Sequence, residues 1–308
     1  MFQKISQVTI TLARLATEFL ARRGLSQSTQ RSYELTLMPL LAQYGRWPLE
    51  LISRQVLSEY LESLVHLSIT THHRHQAIIQ ALFNFAVEQG YLMMNPIALI
   101  KRRKPDPDKG EHDTDQVVRY LSEEQLAVLY ELVANDPRMH AIIRLLHRTG
   151  ARIGELLALD LEQVDRVARK FQVVGKGNKC RWCFYSEDAA IVLNKYIKYE
   201  RGIGVSALFT AQHSLTGEVT RLSYRQAHKC FRELIDSKPL LKGIRLHDLR
   251  HTFATERVGL MSLEELRALM GHQNIQTTLR YQKITSLRAE EVAHKALNIL
   301  TNPENKLS

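Results

Sequence analysis

A polar segment between two stretches of apolar periodicity most limits what this chain can fold into. It runs from Lys104 to Gln116, reads KPDPDKGEHDTDQ, and contains two prolines and one glycine. Such a composition is typical of a linker rather than of a packed element. The sequence therefore predicts a helical domain at residues 1–105, a linker at 106–119, a second domain at 120–286 and a C-terminal helix and tail at 287–308.

The composition is that of a globular protein with a basic balance. Of the 308 residues, 44% are hydrophobic and 24% are charged, which excludes wholesale disorder and a collagen-like fibre. Lys and Arg number 42 against 32 Asp and Glu, which gives a formal charge of +10. This surplus favours a polyanionic partner, either nucleic acid or an acidic membrane surface.

The sequence predicts neither a membrane span nor export. No stretch approaches the roughly 18 consecutive apolar residues that cross a bilayer. The N-terminal MFQK is not part of a basic region followed by an apolar signal segment. We therefore expect a cytoplasmic protein with no membrane partner.

The cysteines indicate neither a disulfide framework nor a metal centre. Cys180, Cys183 and Cys230 are few and odd in number, so reduced thiols are expected. Cys180 and Cys183 have the spacing of half a zinc site, but no second Cys or His pair lies nearby at ligand spacing. We predict no metal site.

The first domain has a helical pattern from about residue 8 to residue 100. Its clearest helix runs from about Thr71 to Glu88, where Ile78, Leu82 and Phe85 recur at i, i+4 and i+7. The apolar face is broad enough to predict a helical bundle.

Two basic segments of the first domain are candidates for DNA contact. The start of the predicted helix reads THHRH, where basic side chains and free backbone amides could meet phosphates. A His-rich metal tract and a merely solvated helix end are the alternatives. The basic run before the linker suits non-specific, salt-sensitive contact with phosphates. The candidate residues are His72, His73, Arg74, His75, Lys101, Arg102, Arg103 and Lys104.

The second domain has a mixed pattern. Ser122 followed by two glutamates predicts a helix start, and helical stretches follow at about 122–134, 138–148 and 152–159. Alternation at about 170–185, interrupted by Gly175, Gly177 and Asn178, predicts a β-hairpin. Helical periodicity then returns to the end. The fold class expected is mainly α with a small β-sheet.

Two islands of phosphate-handling residues precede or form the hairpin. TGARIGEL at 149–156 places Glu155 three residues after Arg152, on the same side of a helix. Arg152 can bind a phosphate while Glu155 orients it. VVGKGNK at 173–179 puts Lys176 at the hairpin tip, where its ammonium can protonate a leaving oxygen. An ordinary helix ion pair and plain turn chemistry are the alternatives.

Two further islands lie near the end of the second domain. LHDLRHTFAT at 246–255 places His247 three residues before Arg250, so an acid/base group lies beside an anion-binding one. His251 is assigned a structural role. LMGHQNIQTTLRYQ at 269–282 contains His272 and Tyr281, whose phenol is a potential oxygen nucleophile. Taken alone, each residue could equally be an ordinary core or surface group.

The order of these islands resembles that of the tyrosine recombinase (phage integrase) family, and the layout is similar to its two-domain, Xer-like members. SQSTQRSYELTLMPLLAQYG and HRHQAIIQALFNFAVEQGYLMMNP resemble the family's helical, SAM-like core-binding domain. The later islands resemble its mixed α+β catalytic domain. The resemblance implies a catalytic set of Arg152, Lys176, His247, Arg250, His272 and Tyr281, with Glu155 in support.

The resemblance also implies an activity and partners. Tyr281 would attack a phosphodiester of duplex DNA at a specific site, giving a 3′-phosphotyrosyl link and a free 5′-hydroxyl, with no cofactor, metal ion or ATP. Residues 287–300 would form a helix that docks on a neighbouring protomer in a homo- or heterotetramer on two DNA sites, or else packs on its own domain. A type IB topoisomerase and a catalytically silent DNA-binding regulator are the alternative functions.

Overall fold

The computed structural model describes residues 10–107, 110–111, 118–175, 179–283, 293–294 and 297. The chain divides into two compact units, Met1–Gln116 and Val117–Ser308. The division falls within the segment expected to be the linker. No helix in the described part of the chain is long and apolar enough to cross a membrane. Most of the predicted C-terminal helix, as well as Lys176, lies outside the described residues.

In its described residues, the first unit is a bundle of four α-helices around one apolar core. Each helix begins after a Thr or Ser whose side-chain oxygen accepts a hydrogen bond from a backbone N–H of the first turn. Fully buried side chains such as Phe19, Leu37 and Leu82 fill the space between the helices. The helices are α1 Leu12–Ala21, α2 Gln27–Tyr44, α3 Arg54–Ser63 and α4 Ile69–Glu88, with a 3-10 turn at Leu49–Leu51.

The predicted helix from Thr71 to Glu88 is confirmed as α4, which begins two residues earlier than expected. The reason is Ser68, whose side chain caps the helix by accepting from the backbone N–H of Thr71. Ile78 and Leu82 of the predicted stripe are buried in the core.

The second unit is mainly helical. Its first helix begins at Glu123, directly after the predicted Ser122, which caps it and forms a capping box with Gln125. The α-helices are α5 Glu123–Leu132, α6 Pro137–Thr149, α7 Ile153–Ala158, α8 Glu187–Tyr199, α9 Tyr224–Ile235, α10 Leu246–Arg257, α11 Leu263–Met270 and α12 Ile275–Leu279, with 3-10 turns at Leu161–Gln163, Pro239–Leu241 and Arg280–Lys283.

The predicted hairpin is confirmed as β2 Lys170–Val174 and β3 Cys180–Phe184, which pair antiparallel, with β1 Val164–Asp165 on the other edge of β2. The side chains alternate, so Phe171, Val173 and Cys183 are buried. A second sheet pairs β4 Thr210–Gln212 with β5 Val219–Arg221. The expectation of uninterrupted helix after the hairpin was therefore wrong, because three-residue strands are too short to show alternation.

A sharp turn after α6 sets the position of the polar cluster described below. Gly150 ends α6 in the left-handed conformation (φ 62°), and a Cβ at this position would lie 2.5 Å from the ring of Phe253 on α10. Only glycine permits this approach of α6 to α10. The turn carries the chain directly into Arg152 and α7.

Candidate active site

Arg250 of α10 lies at the centre of a polar cluster in the second unit. Its side chain is 2% exposed, and its guanidinium donates to the carbonyl oxygens of Gly150 and Met270. Burial, together with the charges of Arg152 and Arg181, lowers the pKa of Arg250 to about 9. Two backbone acceptors from different elements therefore hold a buried cation in one orientation.

Arg152 and Glu155 form the predicted pair, and Arg181 of β3 joins them. The Glu155 carboxylate accepts from the backbone N–H of Arg152 at 2.8 Å and from its Nη1 at 2.9 Å. Arg181 donates to both oxygens of Glu155, at 2.9 and 2.6 Å. Burial raises the pKa of Glu155, but the bonds from the two arginines outweigh it and lower the pKa to about 2. Glu155 is therefore an ionised, buried counter-charge for both arginines.

The backbone around residue 270 closes over Arg181. Nε of Arg181 donates to the carbonyl oxygen of Leu269 at 3.0 Å. Gly271 adopts a left-handed conformation (φ 63°), and a Cβ there would lie 2.9 Å from Cδ of Arg181. A glycine is required so that the segment leading to His272 can lie against Arg181.

Tyr281 is buried next to this segment. Its side chain is 3% exposed and packs with Phe253, Leu266 and Met270. Its hydroxyl oxygen lies 2.8 Å from Nδ1 of His251. Burial raises the pKa of Tyr281, and the positive charge of Arg250 opposes that rise. The phenol is therefore protonated at neutral pH, with an imidazole nitrogen as its hydrogen-bond partner.

His272 lies over the Tyr281 ring. The two rings are stacked, with centroids 6.3 Å apart and planes at 6°, and Nδ1 of His272 lies 2.9 Å from the Thr278 hydroxyl oxygen. Burial, followed by the charges of Arg250 and Arg152, lowers the pKa of His272 to about 3. A neutral ring that accepts from Thr278 at Nδ1 carries its proton on Nε2, where it can donate to an anion.

His247 is exposed at the first turn of α10. Its ring meets that of His251 edge to face, with centroids 4.7 Å apart and planes at 89°. Residues three and four apart share one face of a helix, so His247, Arg250 and His251 lie on the same side of α10.

Two cavities meet at Arg152 and Gly175. One, of 490 Å³, is lined by Arg152, Arg181, His272 and Lys179, among others. The other, of 540 Å³, is lined by Arg152, Glu155 and His247 with residues of α9. Tyr281 does not line either cavity. Lys176 lies outside the described residues, but its neighbour Gly175 lines both cavities.

This arrangement suits an anionic ester. Two arginines and an imidazole that carries its proton on Nε2 can bind non-bridging oxygens, and a tyrosine hydroxyl close to them can act as a nucleophile. In the described part of the chain, no group of three or more His, Cys, Asp or Glu side chains is placed to hold a metal ion.

The histidines predicted to contact DNA in the first unit have mainly internal contacts. His72 is 4% exposed with Nε2 2.9 Å from the carbonyl oxygen of Leu61, and His75 is 9% exposed. Nε2 of His73 lies 2.7 Å from the carbonyl oxygen of Arg103. His72 and His75 therefore lie on the face of α4 that is buried in the bundle, so their side chains are not exposed for phosphate contact.

The other basic candidates of the first unit differ in exposure and in how far their side chains are bound within the protein. Arg74 is exposed, and its guanidinium donates to the Ser32 hydroxyl. Arg103 is bound by the Glu111 carboxylate and by two backbone carbonyl oxygens. Lys101, Arg102 and Lys104 have exposed side chains.

The sequence did not predict the roles of two residues of the cluster. Arg181 occupies an inward-facing position of a strand, opposite Val173, and an arginine at such a position was the available signal for a buried ion pair. His251 was assigned a structural role, yet it is the hydrogen-bond partner of the Tyr281 hydroxyl. Its spacing from His247, one helical turn, was the signal.

Comparison with known proteins gives the relationship of the chain. Residues 119–288, more than half of the chain, match the model of the phage integrase family. The chain belongs to the phage integrase family. The tyrosine recombinase XerC of Vibrio cholerae is 28% identical over 291 residues, covering 89% of this chain and 88% of that protein. XerC of Vibrio vulnificus is 29% identical over 297 residues, covering 90% of this chain and 87% of that protein.

Solved structures of integrases and recombinases share the fold of this phage integrase family member. The integrase of the Tn1549 transposon, in complex with a circular intermediate DNA, gives a TM-score of 0.75 at 20% identity, covering 94% of this chain and 99% of that one. The XerH site-specific recombinase bound to a palindromic difH substrate gives a TM-score of 0.67 at 20% identity, covering 92% of this chain and 84% of that one. The predictions of a Xer-like tyrosine recombinase and of a mainly α fold with small sheets are confirmed.

Proposed function

We propose that this protein is a site-specific DNA recombinase that cuts and rejoins DNA strands through a 3′-phosphotyrosyl intermediate, with Tyr281 as the nucleophile. One observation carries the proposal. Groups from three separated islands, which include Arg152, Arg250, His272 and Tyr281, occupy one cluster in which the Tyr281 ring is stacked on the His272 imidazole.

Each group has a defined task in this reaction. Arg152 and Arg250 bind the non-bridging oxygens of the scissile phosphate and stabilise the charge that develops on them, while His272 donates a hydrogen bond. Lys176 protonates the leaving 5′-oxygen, and His247 acts as the acid/base toward the Tyr281 hydroxyl. Glu155, which is itself bound by Arg181, holds Arg152 in place. One phosphoester replaces another, so the reaction needs neither ATP nor a metal ion.

The proposed partner is duplex DNA with a specific recombination site. The formal charge of +10 supports a polyanionic partner, and Arg74, Lys101, Arg102 and Lys104 are exposed for phosphate contact. We further propose a cytoplasmic tetramer on two DNA sites, joined by the segment 287–300.

A suicide substrate tests this function. A duplex selected by the protein from a random-sequence library is nicked just 3′ of the cleavage position, so that the short fragment with the new 5′-hydroxyl diffuses away. In chelator, wild-type protein should become covalently attached to the 5′-labelled strand in denaturing electrophoresis, and Tyr281→Phe should not. Tyr199→Phe is the matched control, because Tyr199 is 69% exposed at the end of α8.

The outcomes separate the alternatives. An adduct with Tyr281→Phe would show that another residue is the nucleophile, and no adduct with wild type would favour a catalytically silent regulator. A type IB topoisomerase would form the adduct and relax a supercoiled plasmid, but would not join two duplexes into a junction. A recombinase should form that junction.

A further inference from the structure

Thr278 of α12 is a buried residue whose hydroxyl is bonded to one of the groups assigned to the reaction. Its side chain is 0% exposed, and its hydroxyl oxygen lies 2.9 Å from Nδ1 of His272. Tyr281 follows three residues later, and its ring is stacked on the ring of His272. The mechanism described above gives Thr278 no task.

The hydroxyl of Thr278 is directed to His272 and not to its own helix. A threonine within a helix often donates to the carbonyl oxygen four residues earlier. Examples in this chain are Thr17, Thr36, Thr149 and Thr252. In the described part of the chain, Nδ1 of His272 is the only hydrogen-bond partner of the Thr278 hydroxyl. A buried hydroxyl proton without an acceptor costs free energy, so the Thr278 hydroxyl donates and Nδ1 accepts.

We propose that Thr278 is a positioning residue, which holds the His272 ring in the tautomer and the orientation that let Nε2–H donate to the scissile phosphate. The inference rests on the proposed function, since this donation is part of the same reaction. Thr278 does not contact the DNA and acts only through His272.

The tautomer decides whether His272 attracts or repels the phosphate. A neutral imidazole has one N–H group and one lone pair. Among the described residues no group is bonded to Nε2, and His272 lines the cavity of 490 Å³. With the proton on Nε2, the ring offers that cavity a hydrogen-bond donor. With the proton on Nδ1, it would offer a lone pair, which repels an anionic oxygen.

The neutral state of the ring makes this choice necessary. Burial, followed by the charges of Arg250 and Arg152, lowers the pKa of His272 to about 3. An imidazolium would have an N–H on both nitrogens, and its partner at Nδ1 would then not matter. Because the ring is neutral at physiological pH, the group that donates to Nδ1 determines that the proton lies on Nε2.

Stacking on Tyr281 does not by itself fix the orientation of the ring. The planes of the two rings differ by only 6°, and an imidazole turned by half a revolution about its Cβ–Cγ bond keeps the same plane. The turned ring would place Cδ2 beside the Thr278 hydroxyl and Cε1 where Nε2 had been. It would lose the hydrogen bond and present no donor, so the bond from Thr278 selects the productive orientation.

The tautomer of His272 can be measured in the wild-type protein without DNA. With ¹⁵N-labelled histidine, the ring chemical shifts distinguish a protonated nitrogen from an unprotonated one. The His272 signals are assigned by their absence from His272→Phe. We expect the proton on Nε2 at neutral pH, and in Thr278→Val an Nδ1 signal displaced towards that of a nitrogen without a hydrogen bond. A wild-type ring protonated on Nδ1, or an Nδ1 signal unchanged in Thr278→Val, would overturn the proposal.

Cleavage of the suicide duplex tests the consequence for the reaction. Thr278→Val keeps the shape of the side chain and removes the hydroxyl. We expect single-turnover cleavage to fall about tenfold, with the affinity for the intact duplex within about threefold of wild type because many phosphate contacts remain. Thr278→Ser keeps the hydroxyl and should restore cleavage to within about threefold of wild type. Cleavage by Thr278→Val at the wild-type rate would contradict the positioning role.

A matched control removes a buried hydroxyl elsewhere. Thr36 of α2 is 6% exposed, and its hydroxyl donates to the carbonyl oxygen of Ser32 at 2.8 Å. Thr36→Val should leave the cleavage rate unchanged. An equal loss of rate in Thr36→Val and Thr278→Val would show a general effect on the fold and would reject the proposal.

A double variant separates positioning from packing. If Thr278 acts through the imidazole, its replacement should have no further effect once the imidazole is absent. His272→Phe keeps a ring against Tyr281 and has no nitrogen. In this background, Thr278→Val should slow cleavage by less than about twofold. The same slowing in both backgrounds would assign Thr278 to packing alone and overturn the proposal.

The outcomes separate this inference from the proposed function. If the wild type formed no covalent adduct, the proposed function would fail, and the role of Thr278 in cleavage would fail with it. A normal wild-type adduct together with unaffected cleavage by Thr278→Val would reject only the positioning role.

Discussion

At the scale of single residues, the cluster depends on a carboxylate shared by two arginines. Glu155 accepts hydrogen bonds from Arg152 and from Arg181, and the side chains of Glu155 and Arg181 are each 8% exposed. Without this counter-charge, Arg152, Arg181 and Arg250 would repel one another in a region poorly screened by water. Glu155 therefore permits cations to gather before the DNA phosphate arrives.

Glu155→Gln should lower the free energy of unfolding by about 3 kcal/mol at pH 7, because it leaves a buried arginine without an ionic partner. The measurement is urea denaturation of both proteins at a series of pH values. Glu187→Gln is the control, since Glu187 is 80% exposed and 3.8 Å from Arg169, and it should change the stability by less than about 1 kcal/mol.

The effect of Glu155 should also depend on pH. Its pKa is lowered from 4.5 to about 2 by folding, so the native state binds fewer protons than the unfolded state between these values. The stabilisation is fully present above pH 4.5 and is lost as the pH falls towards 2. The stability difference between wild type and Glu155→Gln should be constant above that range and shrink below it. A difference that grew on acidification would contradict this account.

At the scale of elements, α10 connects the site to the core. His247, Arg250 and His251 lie on one side of the helix, while Phe253 packs against Gly150 at the end of α6. The same turn supplies a carbonyl acceptor to Arg250. The position of the Arg250 guanidinium is therefore coupled to that of the turn after α6. A change in the packing between α6 and α10 should alter the orientation of this guanidinium.

Gly150→Ala should destabilise the protein by about 2–4 kcal/mol, since the new Cβ meets the Phe253 ring in a left-handed conformation. We also expect slower cleavage, because the carbonyl that orients Arg250 must move. Gly154→Ala in α7 is the matched control: no heavy atom lies within 4 Å of its added Cβ, and alanine should stabilise the helix by up to about 1 kcal/mol. Urea denaturation gives the free energy of unfolding of the two variants, and equal values would refute the steric argument.

At the scale of the whole molecule, the basic charge has two different uses. Part of it is internal: Arg103 is bound within the first unit by Glu111, and Arg181 within the second by Glu155. Part of it is exposed, as at Lys101, Arg102 and Lys104. Only the exposed part is available for the counterion exchange that makes DNA binding sensitive to salt.

Changing Lys101, Arg102 and Lys104 together to glutamine should weaken DNA binding at low salt. It should also reduce the slope of log affinity against log salt concentration by up to about 3, with little effect on the cleavage rate of bound complexes. Fluorescence anisotropy over a range of salt concentrations measures this slope. Arg103→Gln is the comparison, and it should lower stability more than it changes the slope. An unchanged slope in the triple variant would exclude these side chains from the interface.

The sequence by itself determined the helical character of both units, the hairpin at residues 170–185, the family and the residue types of the cluster. These features depend on local periodicity, capping and the order of motifs. Only the tertiary structure decided which groups meet: Glu155 with Arg181, Tyr281 with His251, and His72 with the bundle interior instead of solvent. Such pairings depend on packing between elements far apart in the chain, which local patterns do not encode.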